Sequence, residues 1–412
     1  MSGVTHPDTS DDAISTPHFF FNMTTIKSIT SLGALSQCAW ECSKQSRWKE
    51  HTQRFLIDLL PRTLKIQEEV RNGTYRVKPT NDFILNERGH IRHIESPAIC
   101  DRDVQKSLMK QVLTPSLRPC LIYDNYASLT QRGTDFARKR FRIMLQRYIQ
   151  KYGTDGYILL GDVSKYFENV DHEILKRLIA PKIANEPDDV KRLIYYIIDT
   201  SSKTCKGLNL GGEPPQIFAV YYLNRLDQFV KVVKGVKYYG RYMDDFFVIG
   251  RTKKELHNLL EEIRGVLDSL GLSINYKKTH IIRLSHSFTW LQIKYIIKPT
   301  GKILRVMSHD KIVRERRRLK AFRRQVDEGK MTDDDVWQCY QSWRGSQEKD
   351  HTNCHRSLIK MDHVYFSMFK PVTKRLRQKR SDIVRQVNRE AEPIDFEYIS
   401  YEIHIQPHHT DY

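Results

Sequence analysis

Apolar residues recur at helical spacing over residues 31 to 72, where Trp40, Trp48, Phe55, Leu56, Leu59 and Leu60 fall on repeating faces. That spacing predicts an N-terminal helical extension. Residues 1 to about 20, rich in Ser, Thr and Asp, read as a mobile lead-in. Apolar residues on either side of Arg88-Gly89, between Phe83 and Ile94, predict a hairpin, and a helical run follows from Asp101 through Leu113. From about 153 to 300 the pattern alternates. Strands are expected at 157–162, 237–242, 246–250, 280–283 and 288–296, with helices at 171–180, 216–234 and 253–270. Such alternation implies helices packed on one face of a small antiparallel sheet, with the other face free for substrate. After Gly301 the chain turns basic and amphipathic through Arg314–Arg324, and a second basic helix is expected over Thr373–Arg389, before a mixed tail from Glu392 to Tyr412.

Charge narrows the partners. The 412 residues are 40% hydrophobic, ample for a core, and 68 basic against 49 acidic residues leave a net charge of +19. An excess of that size favours a polyanionic partner. No stretch approaches the roughly 18 uninterrupted apolar residues of a membrane span, so a cytoplasmic protein without a membrane partner is expected. The seven cysteines are irregularly spaced and read as reduced thiols. His351, Cys354 and His355 with Cys339 upstream match no common zinc spacing.

The candidate chemistry lies in Arg241-Tyr242-Met243-Asp244-Asp245-Phe246-Phe247, two adjacent carboxylates between an aromatic approach and an apolar run. Asp162 closes an earlier strand, so two strand ends can share one metal site. Nucleotide addition is an in-line displacement in which charge builds on both entering and leaving oxygens, and two magnesium ions about 3.5 to 4 Å apart stabilise both. Magnesium takes hard oxygen ligands, which makes Asp162 and Asp244 the natural bridging pair and Asp245 the third carboxylate. At a regular strand position Asp245 points away from Asp244, but at a hairpin tip it still reaches the site.

Tyr242-Met243-Asp244-Asp245 follows Leu210-Gly211-Gly212-Glu213-Pro214-Pro215-Gln216 and precedes Asn275-Tyr276-Lys277-Lys278-Thr279 and Phe288-Thr289-Trp290-Leu291. In this order and at these spacings the blocks resemble the successive palm motifs of a reverse transcriptase. The resemblance is strong over residues 80 to 300 and weaker over 305 to 365, where Tyr340-Gln341-Ser342-Trp343-Arg344-Gly345 is similar to the thumb segment of bacterial enzymes. It implies an α+β right-hand polymerase fold: lead-in and helical extension at 1–75, fingers at 76–152, palm at 153–303, helical thumb at 304–370, and a basic helix and tail at 371–412.

The same resemblance implies site residues. Asp162, Asp244 and Asp245, with the backbone carbonyl of Val163, would hold two Mg2+ ions, with Mn2+ able to substitute. Phe167 stands where the family places an aromatic under the incoming sugar, a ring that would exclude a ribose 2′ hydroxyl and favour DNA as product; a core aromatic is the alternative. Arg92 matches an arginine that reaches the triphosphate, while Asn86 stands where a lysine is usual and Arg88 is the nearest substitute. Gly211 lets backbone approach a nucleotide or template closely, and Gln216 closes the same block, which departs from the family at Pro215, where Ser is usual. Lys278 resembles the lysine near the leaving pyrophosphate, or is an exposed lysine after a strand. Arg132, in Gln131-Arg132-Gly133-Thr134, belongs to a loop that contacts template or triphosphate, or to a mere turn. Trp290 would stack or pack against the primer end, with Gln292 where Gly is usual. Arg316, Arg317, Arg323 and Arg324 would track a phosphate backbone.

The form of the Leu210–Gln216 block is closer to retron, diversity-generating and unassigned bacterial enzymes than to group II intron proteins, and no His-Asn-His endonuclease block follows the thumb segment. The partners implied are an RNA template, most simply a cognate non-coding RNA encoded alongside, a DNA primer or product, and dNTPs; the oligomeric state is left open. Phage defence and sequence diversification are the implied roles, with defence preferred. Template-independent or protein-primed DNA synthesis and a non-catalytic RNA-binding protein remain as alternatives.

Overall fold

The computed structural model describes residues 24–369 except 45, 88–89 and 353, and leaves the side chains at 87, 90 and 92 undescribed. The expected lead-in, the basic helix at 373–389 and the tail therefore lie outside the described residues. The chain divides into two compact units, Met1–Leu291 with Ile297–Ile303 and Gln292–Ile296 with Leu304–Tyr412.

After a single helical turn at Ile26–Ile29, the first unit continues with helices α1 (Leu32–Ser43), α2 (Glu50–Ile57) and α3 (Leu59–Arg71), in place of one continuous periodic stretch. Ser31 caps α1 by accepting from the Ala34 N–H. Phe55 is buried, but Trp40, Trp48 and Leu60 are exposed, so the recurring apolar face is only partly used. Strands β1 (Asn81–Glu87) and β2 (His90–Ser96) pair antiparallel from Asn81↔Ser96 to Glu87↔His90, as the hairpin pattern predicts. Helix α4 (Ile99–Leu108) follows, then α5 (Thr134–Tyr152).

A four-stranded antiparallel sheet lies at the centre of this unit, in the order β4 (Tyr239–Tyr242), β5 (Asp245–Gly250), β3 (Tyr157–Gly161), β6 (His280–Arg283). Phe246, Phe247, Val248 and Ile249 are all buried. Four consecutive buried residues on an alternating strand require cover on both faces. On one face Leu159 and Val248 share a core with Leu256, Leu260 and Ile263 of α6 (Lys253–Asp268). On the other, Phe247 packs against Phe141 of α5 at 4.7 Å and Trp290 at 5.0 Å between ring centroids. The expectation of a free sheet face is thus corrected: the strands are covered on both sides.

Two other boundaries differ from the sequence reading. The helix expected over 216–234 starts at Glu213, runs to Tyr222, resumes over Asn224–Gln228 and ends in a π turn over Phe229–Val233. Pro214 and Pro215 fit its first turn, where an N–H has no intrahelical partner. The strand expected over 288–296 breaks into β7 (Phe288–Trp290) and β8 (Ile293–Ile297), because Leu291 and Gln292 both take positive φ, 43° and 66°. Two successive left-handed residues make a tight turn.

In the second unit, helices α7 (His309–Asp327), α8 (Asp333–Asp350) and α9 (His355–Phe366) enclose a core of Leu319, Val336, Tyr340, Met361, Tyr365 and Phe369. Tyr340 stacks on Tyr365 at 4.5 Å, and its hydroxyl donates to Asp362 at 2.7 Å, a carboxylate that also accepts from Nε of Arg344 at 3.1 Å. Among the described residues, no helix is long and apolar enough to cross a membrane.

Candidate active site

Strand register brings the three acids together. β3 and β5 pair through Gly161↔Phe246, so continuing the ladder by one residue sets Asp162 across from Asp245. β4 and β5 close through Tyr242↔Asp245, leaving Met243 and Asp244 as the turn. Gly161 has a local reason: a Cβ there would lie 2.1 Å from the Phe246 ring.

The segment 273–279 grips Asp162. Its backbone carbonyl accepts from the Asn275 N–H at 2.8 Å, and Ser164 N–H donates to the Ser273 carbonyl at 2.8 Å. With those two groups turned toward 273–275, the Val163 carbonyl between them faces the opposite edge, the side of β5. The Asp162 carboxylate, 5% exposed, accepts from Nδ2 of Asn275 at 2.8 Å and from Nζ of Lys278 at 3.2 Å. Asn275 and Thr279, whose hydroxyl accepts from the Asp162 N–H at 3.3 Å, were not assigned from sequence, although an Asn opening a turn was visible in the block.

Asp244 and Asp245 are half-buried. The Asp245 carboxyl is held well above the usual carboxylate range by burial first, then by the charges of Asp244 and Asp162, with Lys278 opposing. Three mutually repelling carboxylates supply hard oxygen donors of the kind a divalent cation takes. Among the described residues no group of three or more His, Cys, Asp and Glu forms a closed metal cage. Asp162 is engaged by Asn275 and Lys278 in this arrangement, and the donor chemistry of the three acids fits a divalent ion. The His351, Cys354, His355 and Cys339 cluster forms no such cage either.

Phe167 is half-buried in a one-turn helix, Tyr166–Asn169, that follows left-handed Lys165 at φ 44°. Its ring meets Tyr166 edge-on at 5.6 Å, and the Tyr166 hydroxyl donates to the Ala219 carbonyl. Gln216 is exposed, and its Oε1 accepts from the Ser128 hydroxyl at 3.1 Å. The backbone of Arg92 pairs with Leu85, while its side chain and residue Arg88 lie outside the described residues.

Four of the assigned residues are engaged within the chain itself. The close approach at Gly211 is to the chain's own backbone, since a Cβ there would stand 2.1 Å from the Glu95 carbonyl oxygen. Trp290 is 4% exposed among Phe141, Phe247 and Tyr126, a core position. Arg132 lies over the rings of Tyr123 and Phe136 and donates to the Asn125 carbonyl at 2.7 Å. Arg323 pairs with Asp327 at 2.7 Å, donates to the Met368 carbonyl and covers Phe369. Arg316, Arg317 and Arg324 are exposed on α7.

A two-strand carboxylate site behind a Tyr-Met-Asp-Asp turn defines a nucleotidyl-transfer polymerase of the right-hand class, an α+β fold. The sequence model of the reverse transcriptase (RNA-dependent DNA polymerase) family matches residues 78–295, just over half the chain, and the chain belongs to that family. It is similar to Protein YkfC of Escherichia coli (strain K12), 24% identical over 274 residues that cover 57% of this chain and 71% of that protein. It is also similar to the group II intron-encoded protein LtrA of Lactococcus lactis subsp. cremoris, 25% identical over 179 residues, 41% of this chain but only 28% of LtrA. Among solved structures, the apo telomerase of Candida Tropicalis truncated from its C-terminal domain aligns with a TM-score of 0.44 at 14% identity, covering 59% of each chain. The telomerase of Candida albicans in complex with a fragment of telomeric RNA aligns at 0.43 and 11%, covering 56% of this chain and 46% of that one.

Proposed function

We propose that the chain copies RNA into DNA by two-metal-ion nucleotidyl transfer, with residues 76–152 as fingers, 153–303 as palm and 304–370 as thumb. The observation that carries the reading is the register that sets Asp162, just past the end of β3, beside Asp245 at the β4–β5 turn. Asp162, Asp244 and Asp245, with the Val163 carbonyl, would hold two Mg2+ ions. Bound there, the ions would stabilise charge on the attacking and leaving oxygens. Asn275 holds the Asp162 carboxylate in a fixed orientation. Lys278, 63% exposed and 3.2 Å from Asp162, stands where it can neutralise a leaving pyrophosphate once it lets go of that carboxylate. Phe167 would exclude the ribose 2′ hydroxyl by volume, and Arg92 would reach the triphosphate.

A cognate non-coding RNA as template and a role in phage defence are proposed on the resemblance of the Leu210–Gln216 block alone. Primer extension tests the chemistry, using purified protein, Mg2+ and co-purified host RNA with wild type beside Asp244→Asn. The wild type should give cDNA and Asp244→Asn none, with RNA affinity retained because phosphate contacts come from Arg and Lys. Product formed without RNA, or joined to the protein, would shift the reading to template-independent or protein-primed synthesis. RNA bound without product from either protein would shift it to a binding protein.

A further inference from the structure

The turn that carries Asp244 and Asp245 is held from beneath. Met243 takes a φ of 54°, a region that residues with a Cβ enter at a steric cost. Its carbonyl accepts a 2.8 Å hydrogen bond from Nη1 of Arg241, two residues back on β4. The rest of that guanidinium is committed as well. Nε and Nη2 fork onto the two oxygens of Asp227 at 2.8 and 2.6 Å, and Nη2 also reaches the Val220 carbonyl at 2.9 Å. Both side chains are fully buried. Asp227 is fixed in turn by the Tyr239 hydroxyl at 2.6 Å and by Nδ2 of Asn125 at 3.3 Å.

Packing alone does not call for such a pair, because apolar side chains of similar volume hold two elements together about as well as a buried ion pair. What apolar side chains lack is a spare donor for the Met243 carbonyl. A planar guanidinium can satisfy both oxygens of one carboxylate and still present a third nitrogen at a fixed angle. Lysine, a single point charge, cannot do both.

We propose that Arg241, gripped by Asp227, is the positioning residue that fixes the left-handed Met243 turn and thereby sets Asp244 and Asp245 against Asp162. The inference rests on the polymerase reading above, and it deepens that reading by assigning the device that aligns the carboxylates.

The test uses the full-length chain as wild type, Arg241→Lys, and the double variant Asp227→Leu with Arg241→Met, which replaces the pair by apolar volume. Mn2+ binding is followed by electron paramagnetic resonance without nucleotide or RNA, and dNTP incorporation is measured in parallel with thermal unfolding and RNA affinity. In both variants kcat should fall by about 10²-fold, the loss expected of a misplacement near 1 Å. KM for dNTP should stay within about twofold, the Mn2+ midpoint should rise several-fold, and RNA affinity should not move. A folded double variant with wild-type kcat and Mn2+ midpoint overturns the proposal, as does a fall in kcat with the Mn2+ midpoint unchanged. Loss of the fold in both variants overturns it too, since the pair would then serve the fold itself. The Mn2+ measurement needs no turnover, so a wild type that binds Mn2+ and incorporates nothing faults the polymerase reading while leaving the positioning role standing on the midpoint shift.

Discussion

Asp103 is 2% exposed on α4 and its Oδ1 has no hydrogen-bond partner among the described residues. Burial pushes its carboxyl up to about 8, with Arg102 opposing and Asp101 adding. Because the folded value lies above the unfolded one, the native state holds the proton longer. Its contribution to stability is therefore full below about pH 4 and is lost as pH rises toward 8. Asp103→Asn removes the titration, so its stability relative to wild type should grow across that window by an amount of order a few kcal/mol, read by urea unfolding at pH 5 and pH 8. A difference that does not change with pH would sink the argument. At Phe167 the expected effect is on selectivity. Phe167→Ala should raise ribonucleotide against deoxyribonucleotide incorporation by about 10- to 100-fold, the range one pocket contact can supply, and unchanged sugar discrimination in single-nucleotide addition would refute a steric gate.

At the scale of elements, Gly211 joins the β2 end to the helix that begins at Glu213. A methyl group there would meet the Glu95 carbonyl oxygen at 2.1 Å and the Ser96 Cα at 2.7 Å, both backbone atoms that no rotamer change can clear. Gly211→Ala should cost about 1–3 kcal/mol of stability in urea unfolding, and a loss under a few tenths would show that the junction yields. These sheet strands were legible as short apolar runs: 157–162 expected against Tyr157–Gly161 found, and 280–283 against His280–Arg283. Asp162 was legible for the same reason, since it directly follows the first of these runs, and Asp244 and Asp245 stand out as a pair between two expected strands. The break at Leu291–Gln292 was not, because neither residue is the Gly or Asn that usually announces a left-handed turn. A sequence block names a residue but not what its side chain meets: Trp290 packs inward on Phe141, whereas half-buried Arg132 lies over the rings of Tyr123 and Phe136. Arg241 stood in plain view beside the acids, yet its partner Asp227 lies on a separate element, the helix Asn224–Gln228, and pairing across elements leaves no local pattern.

At the scale of the whole molecule, the charge of +19 is not spread over equivalent arginines. Arg323 is spent on Asp327 and Phe369, whereas Arg316, Arg317 and Arg324 are exposed on the same helix. Replacing these three together by Ala should weaken RNA binding and flatten the slope of log K against log salt by about 2, near 0.7 per phosphate contact on a single strand. Arg323→Ala should lower thermal stability and leave that slope alone. An unchanged slope in the triple variant would remove this helix from the RNA path.

The burial of Trp290 gives the central four-stranded sheet an optical signature. Trp40 and Trp48 are 46% and 75% exposed, so an aqueous quencher reaches them, while Trp290, 4% exposed behind Phe247, is shielded. The two remaining indoles, Trp337 and Trp343, belong to the second unit and can be exchanged for Phe. In such a protein under iodide, the residual blue-shifted emission comes from a single ring packed against the strand that begins at Asp245, and its loss times the opening of that sheet while the rest of the chain stays dark.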